Sequence, residues 1–132
     1  MSKRRVVVTG LGIVSPVGNT VSAAWENIIS GKSGITRITR FDASNFASQI
    51  AGEVKDFDIQ QYLSVKEARR MDIFIHYGMA AAIQAIKDAG IEDVTHFDSE
   101  RIGVNIGSGI GGLPMIENTD TAYHAGGPRK IS

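Results

Sequence analysis

The chain has 132 residues, of which 42% are hydrophobic and 21% are charged, a composition typical of a soluble globular protein near the usual size of one domain. Its 14 basic and 14 acidic residues cancel, which excludes a general attraction to nucleic acid or anionic lipid, so an electrostatic partner requires a local charged patch. The absence of cysteine excludes disulfides, thiolate metal ligands and a cysteine nucleophile within these residues.

The N-terminal residues predict a buried β-strand rather than an export signal or a membrane segment. Arg5–Gly10 is a short β-branched run that ends in glycine, and its continuous apolar character is typical of a strand covered on both faces in a parallel sheet. Thr9 and the glycines beyond it interrupt the run, and no stretch approaches the roughly 18 apolar residues of a membrane span. We therefore predict a cytoplasmic protein.

A helix and a long irregular excursion follow the first strand. The glycines and the proline after the strand predict a tight loop, and Asn19 or Thr20 then caps a helix that ends near Ser30. Over Lys32–Leu63 the hydrophobic pattern is weak, which predicts loops with one short strand near Gln49–Val54.

The second half of the chain has stronger patterns. Ser64 and Glu67 form a capping-box pattern, which predicts the start of a helix. Asp72–Ala89 is apolar on most of its circumference and predicts a buried helix. Arg101–Gly107 is the second predicted strand, and a glycine turn leads from it to a predicted helix over Leu113–Tyr123. The last residues, AGGPRKIS, predict a loop.

This order of elements predicts an α/β layer architecture with a mostly parallel sheet. Both faces of a parallel sheet are normally covered, and the few predicted strands cannot bury a helix as apolar as Asp72–Ala89. We therefore expect the remaining strands to lie outside residues 1–132, which form one unit without an internal domain boundary.

The glycine-rich turn Gly107–Gly112, with the sequence GSGIGG, satisfies the GxGxxG pattern of dinucleotide-binding turns. The full pattern also includes an acidic residue about 20 residues later at the end of another strand, where this chain has only a predicted loop. A structural glycine turn is therefore favoured, and a small nucleotide-binding module is the alternative.

The histidines do not form a recognisable site. His76, His96 and His124 lack metal-ligand spacing, so neither a metal nor a cofactor is predicted. His76 lies four residues after Asp72, which predicts a local Asp–His pair on the helix. Without a cysteine or a GxSxG serine the sequence nominates no nucleophile, and Ser108 is interpreted as a turn residue.

Three basic residues stand out on the short helix after Ser64. Lys66, Arg69 and Arg70 surround a single acidic residue, Glu67, and so leave a local surplus of positive charge on a neutral chain. The spacing fits either a solvated helix face or a docking surface for an acidic partner or a phosphate group.

Four segments together resemble the N-terminal part of β-ketoacyl-acyl-carrier-protein synthases, and most closely the type II synthases of bacterial fatty-acid elongation. They are RRVVVTGLGIVSPVGNT (Arg4–Thr20), GKSGI (Gly31–Ile35), VKEARRMDIF (Val65–Phe74), and IGSGIGGLPMIE through to GGPRKIS. The resemblance covers essentially the whole chain in order and spacing.

The resemblance implies a thiolase-like fold with α/β/α/β/α layers, of which residues 1–132 are the N-terminal portion. It also implies that the full-length subunit is longer and forms a dimer. It also implies a decarboxylative Claisen condensation. An acyl chain moves from acyl carrier protein to a cysteine thiolate, malonyl carrier protein loses carbon dioxide, and the resulting carbanion attacks the acyl thioester. Histidines and backbone amides stabilise the negative oxygen that develops.

The catalytic cysteine and histidines of the family lie beyond the GGPRKIS segment, so the resemblance assigns no catalytic residue to this chain. Residues 1–132 alone are therefore predicted to be inactive. Two other roles are implied within the chain. Ile110 matches the inner wall of the acyl pocket, and Lys66, Arg69 and Arg70 match the basic surface that receives acyl carrier protein.

Overall fold

The computed structural model describes residues 3–131. Within that range the longer helices are α1 (Val21–Ile29), α3 (Ile73–Asp88) and α4 (Leu113–Gly126), and α2 (Val65–Ala68) is a single turn. The strands are β1 (Ile35–Arg37) and β2 (Ile50–Gly52). Short 3-10 turns occur at Ile59–Gln61, Val94–His96, Ser99–Arg101 and Pro128–Lys130. Among residues 3–131, none of the helices combines the length and the hydrophobicity of a membrane span.

The two strands form a small antiparallel ribbon. Ile35 is opposite Gly52, and Arg37 is opposite Ile50. The short strand predicted near Gln49–Val54 is therefore confirmed as β2, whereas its partner β1 lies in a region predicted to be loop.

The strands predicted at Arg5–Gly10 and Arg101–Gly107 do not form in residues 3–131, and that part of the prediction is wrong. Val6 and Val8 are 93% and 80% exposed, and Val104 is 77% exposed. The physical reason is that β-branched side chains favour a strand, but a strand also requires a neighbour to complete its ladder of hydrogen bonds. The parallel sheet is absent from the described range for the same reason.

Helix α1 begins where the sequence predicts. The Thr20 side chain accepts a hydrogen bond from the Ala23 amide at 3.3 Å and so caps the first turn. The helix ends at Ile29, and Ser30 is the C-cap. Ala24 is only 2% exposed, because the helix turns this small side chain toward the loop that precedes it.

Glycines allow the N-terminal segment to lie directly on the backbone of α3. A Cβ atom at Gly10 would overlap the Ala85 carbonyl oxygen, and one at Gly12 would overlap that of Ala81. Neither position can accept a larger residue without a shift of the chain. Ala80 on α3 is fully buried.

Polar residues on α3 fix the same segment by hydrogen bonds. The Asp88 carboxylate accepts from the Leu11 amide at 2.8 Å, and the Gln84 side-chain oxygen accepts from the Ile13 amide at 3.3 Å. The Gln84 amide group also donates to the Tyr62 hydroxyl at 2.8 Å. The narrow polar edge of this helix therefore satisfies backbone groups that have no strand partner in residues 3–131.

The α3 helix has the predicted boundaries but is less buried than predicted. Its large apolar side chains are mostly half-buried, and Phe74 and Ile86 are 37% and 38% exposed. The N-terminal segment covers one side of the helix, whereas other faces stay partly open. At the C-terminal end, α4 extends to Gly126 rather than Tyr123, and Pro128–Lys130 forms a 3-10 turn where a loop was predicted.

Candidate functional site

The glycine turn before α4 is built around a left-handed backbone. Gly111 and Gly112 have φ angles of 56° and 58°, a region that side chains other than glycine rarely adopt. A Cβ atom at Gly111 would also lie 3.0 Å from the Phe74 ring. The turn presents Ile110, whose side chain is 79% exposed.

Asp72 connects the start of α3 to the start of α4. One carboxylate oxygen, Oδ1, accepts from the Ile73 amide at 2.6 Å, and Oδ2 accepts from the Met115 amide at 3.2 Å. Asp72 is only 9% exposed. The N-cap of α4 is Gly112, which has no side chain with which to cap its own helix. Asp72 therefore supplies an acceptor that the local sequence lacks.

An apolar cavity of about 370 Å³ lies beside the turn. Its walls include Phe74, Ile75, Ile110, Met115, Ile116 and Arg70. A cavity with this lining can bind an aliphatic chain, because each buried methylene group contributes about 0.8 kcal/mol.

A second cavity, of about 390 Å³, lies behind the same turn. Phe74 and Ile75 line both cavities, so these two side chains form a wall between them. Ser108 lines the second cavity, and its hydroxyl lies 2.9 Å from the Cβ position that Gly111 lacks. This placement agrees with the interpretation of Ser108 as a turn residue.

The basic surface formed by Lys66, Arg69 and Arg70 projects from α2 and its C-terminal end. Ser64 and Glu67 form the predicted capping box: Ser64 Oγ accepts from the Glu67 amide at 3.3 Å, and Glu67 Oε2 accepts from the Ser64 amide at 3.1 Å. The hydrogen bond from the Ser64 hydroxyl, reinforced by that from its amide, lowers the pKa of the Glu67 carboxyl.

The capping box has a consequence for the charge of this surface. Because Glu67 is held on Ser64, it makes no ion pair within 4.0 Å with the neighbouring cations in the part of the chain that the structure describes. Lys66, Arg69 and Arg70 are all exposed. The basic surface therefore keeps its positive charge available to a partner.

Arg70 connects the basic surface with the cavity beside Ile110. It belongs to the basic surface and also lines the cavity beside Ile110. The residue two positions later, Asp72, caps α3 and α4. Sequence reasoning predicted the basic residues and Ile110 separately. Only the fold places Arg70 and Ile110 on one cavity.

Sequence reasoning missed Asp72 as a member of this site. An aspartate immediately before an apolar helix is a recognisable N-cap signal, and it could have predicted the contact with α3. The bond from Met115 spans 43 positions and leaves no local pattern.

His76 does not pair with Asp72, so that prediction is wrong. The His76 ring nitrogen Nε2 lies 2.9 Å from the Ala68 carbonyl oxygen, at the end of α2. The carboxylate of Asp72 is already occupied by the amides of Ile73 and Met115. His76 therefore helps to hold α2 against α3.

The other two histidines lie on the surface, and each is close to an aspartate on the same turn or helix. His96 lies 3.4 Å from Asp93, and His124 lies 3.4 Å from Asp120. Within residues 3–131 no group of three or more histidine, aspartate or glutamate side chains is arranged to hold a metal ion.

The start of α4 is poorly suited to a nucleotide phosphate. A phosphate would bind the free amides at the helix N-terminus, but there the Met115 amide already donates to the Asp72 carboxylate. A phosphate there would meet a negative charge of the protein itself. The geometry therefore disfavours the nucleotide-binding alternative.

Comparison with known proteins places the chain in a family. The sequence profile of the family "Beta-ketoacyl synthase, N-terminal domain" matches residues 3–132. The 3-oxoacyl-[acyl-carrier-protein] synthase 2 of Vibrio harveyi is 57% identical over 132 residues, and that of Coxiella burnetii is 53% identical over the same length. Each match covers 100% of this chain and 32% of the relative.

Two solved structures have a similar fold. One is the ishigamide ketosynthase/chain length factor, with a TM-score of 0.74, 28% identity, and coverage of 99% of this chain and 32% of that one. The other is a type II polyketide ketosynthase, AntDE, in complex with its acyl-carrier protein AntF. Its TM-score is 0.75 at 31% identity, and the match covers 96% of this chain and 33% of that one.

The thiolase-like fold that the resemblance implies is confirmed by these neighbours, which have that fold. The chain spans about a third of the length of the relatives and structures that it matches. Because the family profile covers the chain from residue 3 to residue 132, the chain belongs to the β-ketoacyl synthase family and corresponds to its N-terminal domain.

Proposed function

We propose that this chain is the N-terminal portion of a β-ketoacyl-acyl-carrier-protein synthase that elongates fatty acyl chains by decarboxylative condensation with malonyl acyl carrier protein. The observation that carries the proposal is the apolar cavity at Ile110, which lies beside a basic surface without an ion pair among the described residues. Such a site suits a substrate in which an apolar acyl chain is attached to an acidic carrier protein. The similarity to 3-oxoacyl-[acyl-carrier-protein] synthases supports the same activity.

The role proposed for Ile110 is to limit the length of the acyl chain. Its exposed side chain lines the cavity together with the ring of Phe74. The glycines on either side allow the isoleucine to approach a methylene chain closely. A larger residue at this position would shorten the cavity.

The role proposed for Lys66, Arg69 and Arg70 is to receive acyl carrier protein. Long-range attraction between this surface and an acidic carrier would raise the association rate at low salt. The AntDE ketosynthase, which is similar to this chain, was solved with its own acyl-carrier protein bound.

The proposed chemistry requires a cysteine nucleophile, and residues 1–132 contain none. The chain has no cysteine to carry the acyl group, and its histidines contact Ala68 or surface aspartates rather than one another. We propose that the nucleophile and the catalytic histidines belong to the rest of the synthase, that residues 1–132 alone are inactive and lack an internal domain boundary, and that the whole enzyme is a cytoplasmic homodimer.

A hybrid synthase tests this proposal. In it, residues 1–132 replace the segment that they match in the Vibrio harveyi relative, so that the relative supplies the remaining two thirds. We expect the hybrid synthase to condense acyl groups with malonyl acyl carrier protein, and residues 1–132 alone to show no condensation. A folded but inactive hybrid, or activity from residues 1–132 alone, would contradict the proposal.

A further inference from the structure

We propose that Asp72 is a positioning residue for acyl-chain selection, because its carboxylate fixes the start of α4 and therefore the position of Ile110. This inference rests on the proposed function, since Ile110 selects chains only if the cavity beside it receives them. Asp72 also lines the cavity, but we assign its effect to the position of the turn and not to a contact with a reacting atom.

The carboxylate is placed to act on both helices at once. It is nearly buried, and its two oxygen atoms accept from two different backbone amides, those of Ile73 and Met115. Both amides belong to the first turn of a helix, where the helix dipole favours a negative charge. The position of α4 relative to α3 is therefore tied to this single side chain.

Few other interactions fix the start of α4. Its N-cap, Gly112, has no side chain, and Pro114 has no amide hydrogen to bond. No residue of α4 is buried in the structure that residues 3–131 form. The long-range bond from Met115 to Asp72 therefore has a large share in holding the first turn in place.

The link from Asp72 to Ile110 is short. Ile110 stands two residues before the N-cap, and the intervening Gly111 and the N-cap Gly112 are both in the left-handed region. A Cβ atom at Gly112 would lie only 3.7 Å from the Asp72 carboxylate. If the start of α4 moves, Ile110 must move relative to the wall formed by Phe74.

The substitution Asp72→Asn in the hybrid synthase tests this inference. Asparagine has nearly the same size but only one acceptor oxygen, so it cannot bind the Ile73 and Met115 amides in the same way. We expect kcat/KM for long acyl chains to fall relative to short ones, by about fourfold for each methylene group that no longer enters the cavity. Asp58→Asn, at the cap of the 3-10 turn Ile59–Gln61, is the matched control and should leave the ratio unchanged.

Two further variants separate positioning from a general structural role. Asp72→Ser retains a preferred N-cap for α3 but cannot reach both amides, so it should shift the ratio in the same direction and serves if the asparagine variant does not fold. In an Ile110→Ala background the effect of Asp72→Asn on the ratio should disappear, because the residue through which Asp72 acts has been truncated.

The outcomes distinguish this inference from the proposed function. A hybrid synthase that is active, but whose long-to-short ratio is unchanged by Asp72→Asn and Asp72→Ser, overturns the inference alone. An equal loss of activity for all chain lengths also overturns it, because that is the signature of a general loss of stability. A folded hybrid without any condensation activity contradicts the proposed function itself, before Asp72 is changed.

Discussion

Glu53 accepts hydrogen bonds from both the hydroxyl and the amide of Thr39, at 2.7 and 3.1 Å. The carboxylate is only 8% exposed and also accepts from the Arg40 amide at 3.3 Å. Arg40 in turn donates to the Tyr77 hydroxyl on α3 at 2.9 Å. These contacts connect the end of β1, the end of β2 and the second turn of α3. The hydrogen bond from the Thr39 hydroxyl is the largest cause that lowers the pKa of Glu53 below its ordinary value of 4.5.

Acid should weaken this part of the structure. Because the pKa of Glu53 is lower in the folded state than in the unfolded chain, its stabilising effect is fully present above about pH 4.5 and is lost as the pH falls through the lowered value. Glu53→Gln should therefore lower Tm near neutral pH, and the difference from the wild type should shrink in acid. Thermal unfolding of the hybrid synthase at several pH values measures this. A difference in Tm that does not change with pH would contradict the prediction.

Gly111→Ala should destabilise the turn. The turn requires a left-handed backbone at this position, which costs about 1–2 kcal/mol for residues other than glycine. The new methyl group would also lie 3.0 Å from the Phe74 ring. We expect a corresponding decrease in the free energy of unfolding, measured by urea denaturation of the hybrid synthase. Gly109→Ala is a matched control in the same turn, because nothing lies within 4 Å of the Cβ position of Gly109. Equal effects of the two substitutions would exclude this explanation.

Ile110→Phe should shorten the acyl chains that the hybrid synthase accepts. The larger ring takes up part of a cavity of about 370 Å³, so long chains should lose about fourfold in kcat/KM per excluded methylene group while short chains are retained. The measurement is the rate of elongation for acyl carrier proteins loaded with chains of increasing length. Ile29→Phe, at a similarly exposed isoleucine on α1, is the control and should not alter the profile. An unaltered profile for Ile110→Phe would remove the pocket role.

Reversing the charge of the basic surface should weaken carrier docking. Replacing Lys66, Arg69 and Arg70 by glutamate should raise KM for acyl carrier protein at low ionic strength, with a smaller change in kcat. The effect should diminish with added salt, because the Debye length falls to about 8 Å at physiological ionic strength. KM measured across a salt series tests this expectation.

The control for that experiment carries the same change in net charge. Lys32, Lys55 and Lys87 are exposed lysines outside the basic surface, and their replacement by glutamate should leave KM close to the wild-type value. If both triple variants raised KM equally, the effect would reflect net charge alone and the specific docking surface would be excluded.

Local signals in the sequence predicted the helices well. The Ser64–Glu67 capping box and the Thr20 cap depend on residues three positions apart, so a short window of sequence contains all of the relevant atoms. The boundaries of α3 follow for the same reason, from a continuous apolar run that begins after Asp72.

Features that require a distant partner were not predictable in the same way. The bond between Asp72 and Met115 joins two helices that are far apart in sequence, and no periodicity marks it. Arg5–Gly10 has the composition of a strand, but residues 3–131 contain no neighbouring strand with which it forms hydrogen bonds. The three residues of β1 are too few for a periodic pattern. Their pairing with β2 is visible only in the fold.

The exposed valines near the N-terminus favour aggregation. Val6, Val7 and Val8 together form a β-prone hydrophobic segment, the kind that recruits a like segment from another molecule into an aggregate. Immediately before them stand Lys3, Arg4 and Arg5, whose mutual repulsion between molecules opposes such stacking. The three positive charges therefore reduce the tendency of exposed valine segments to associate.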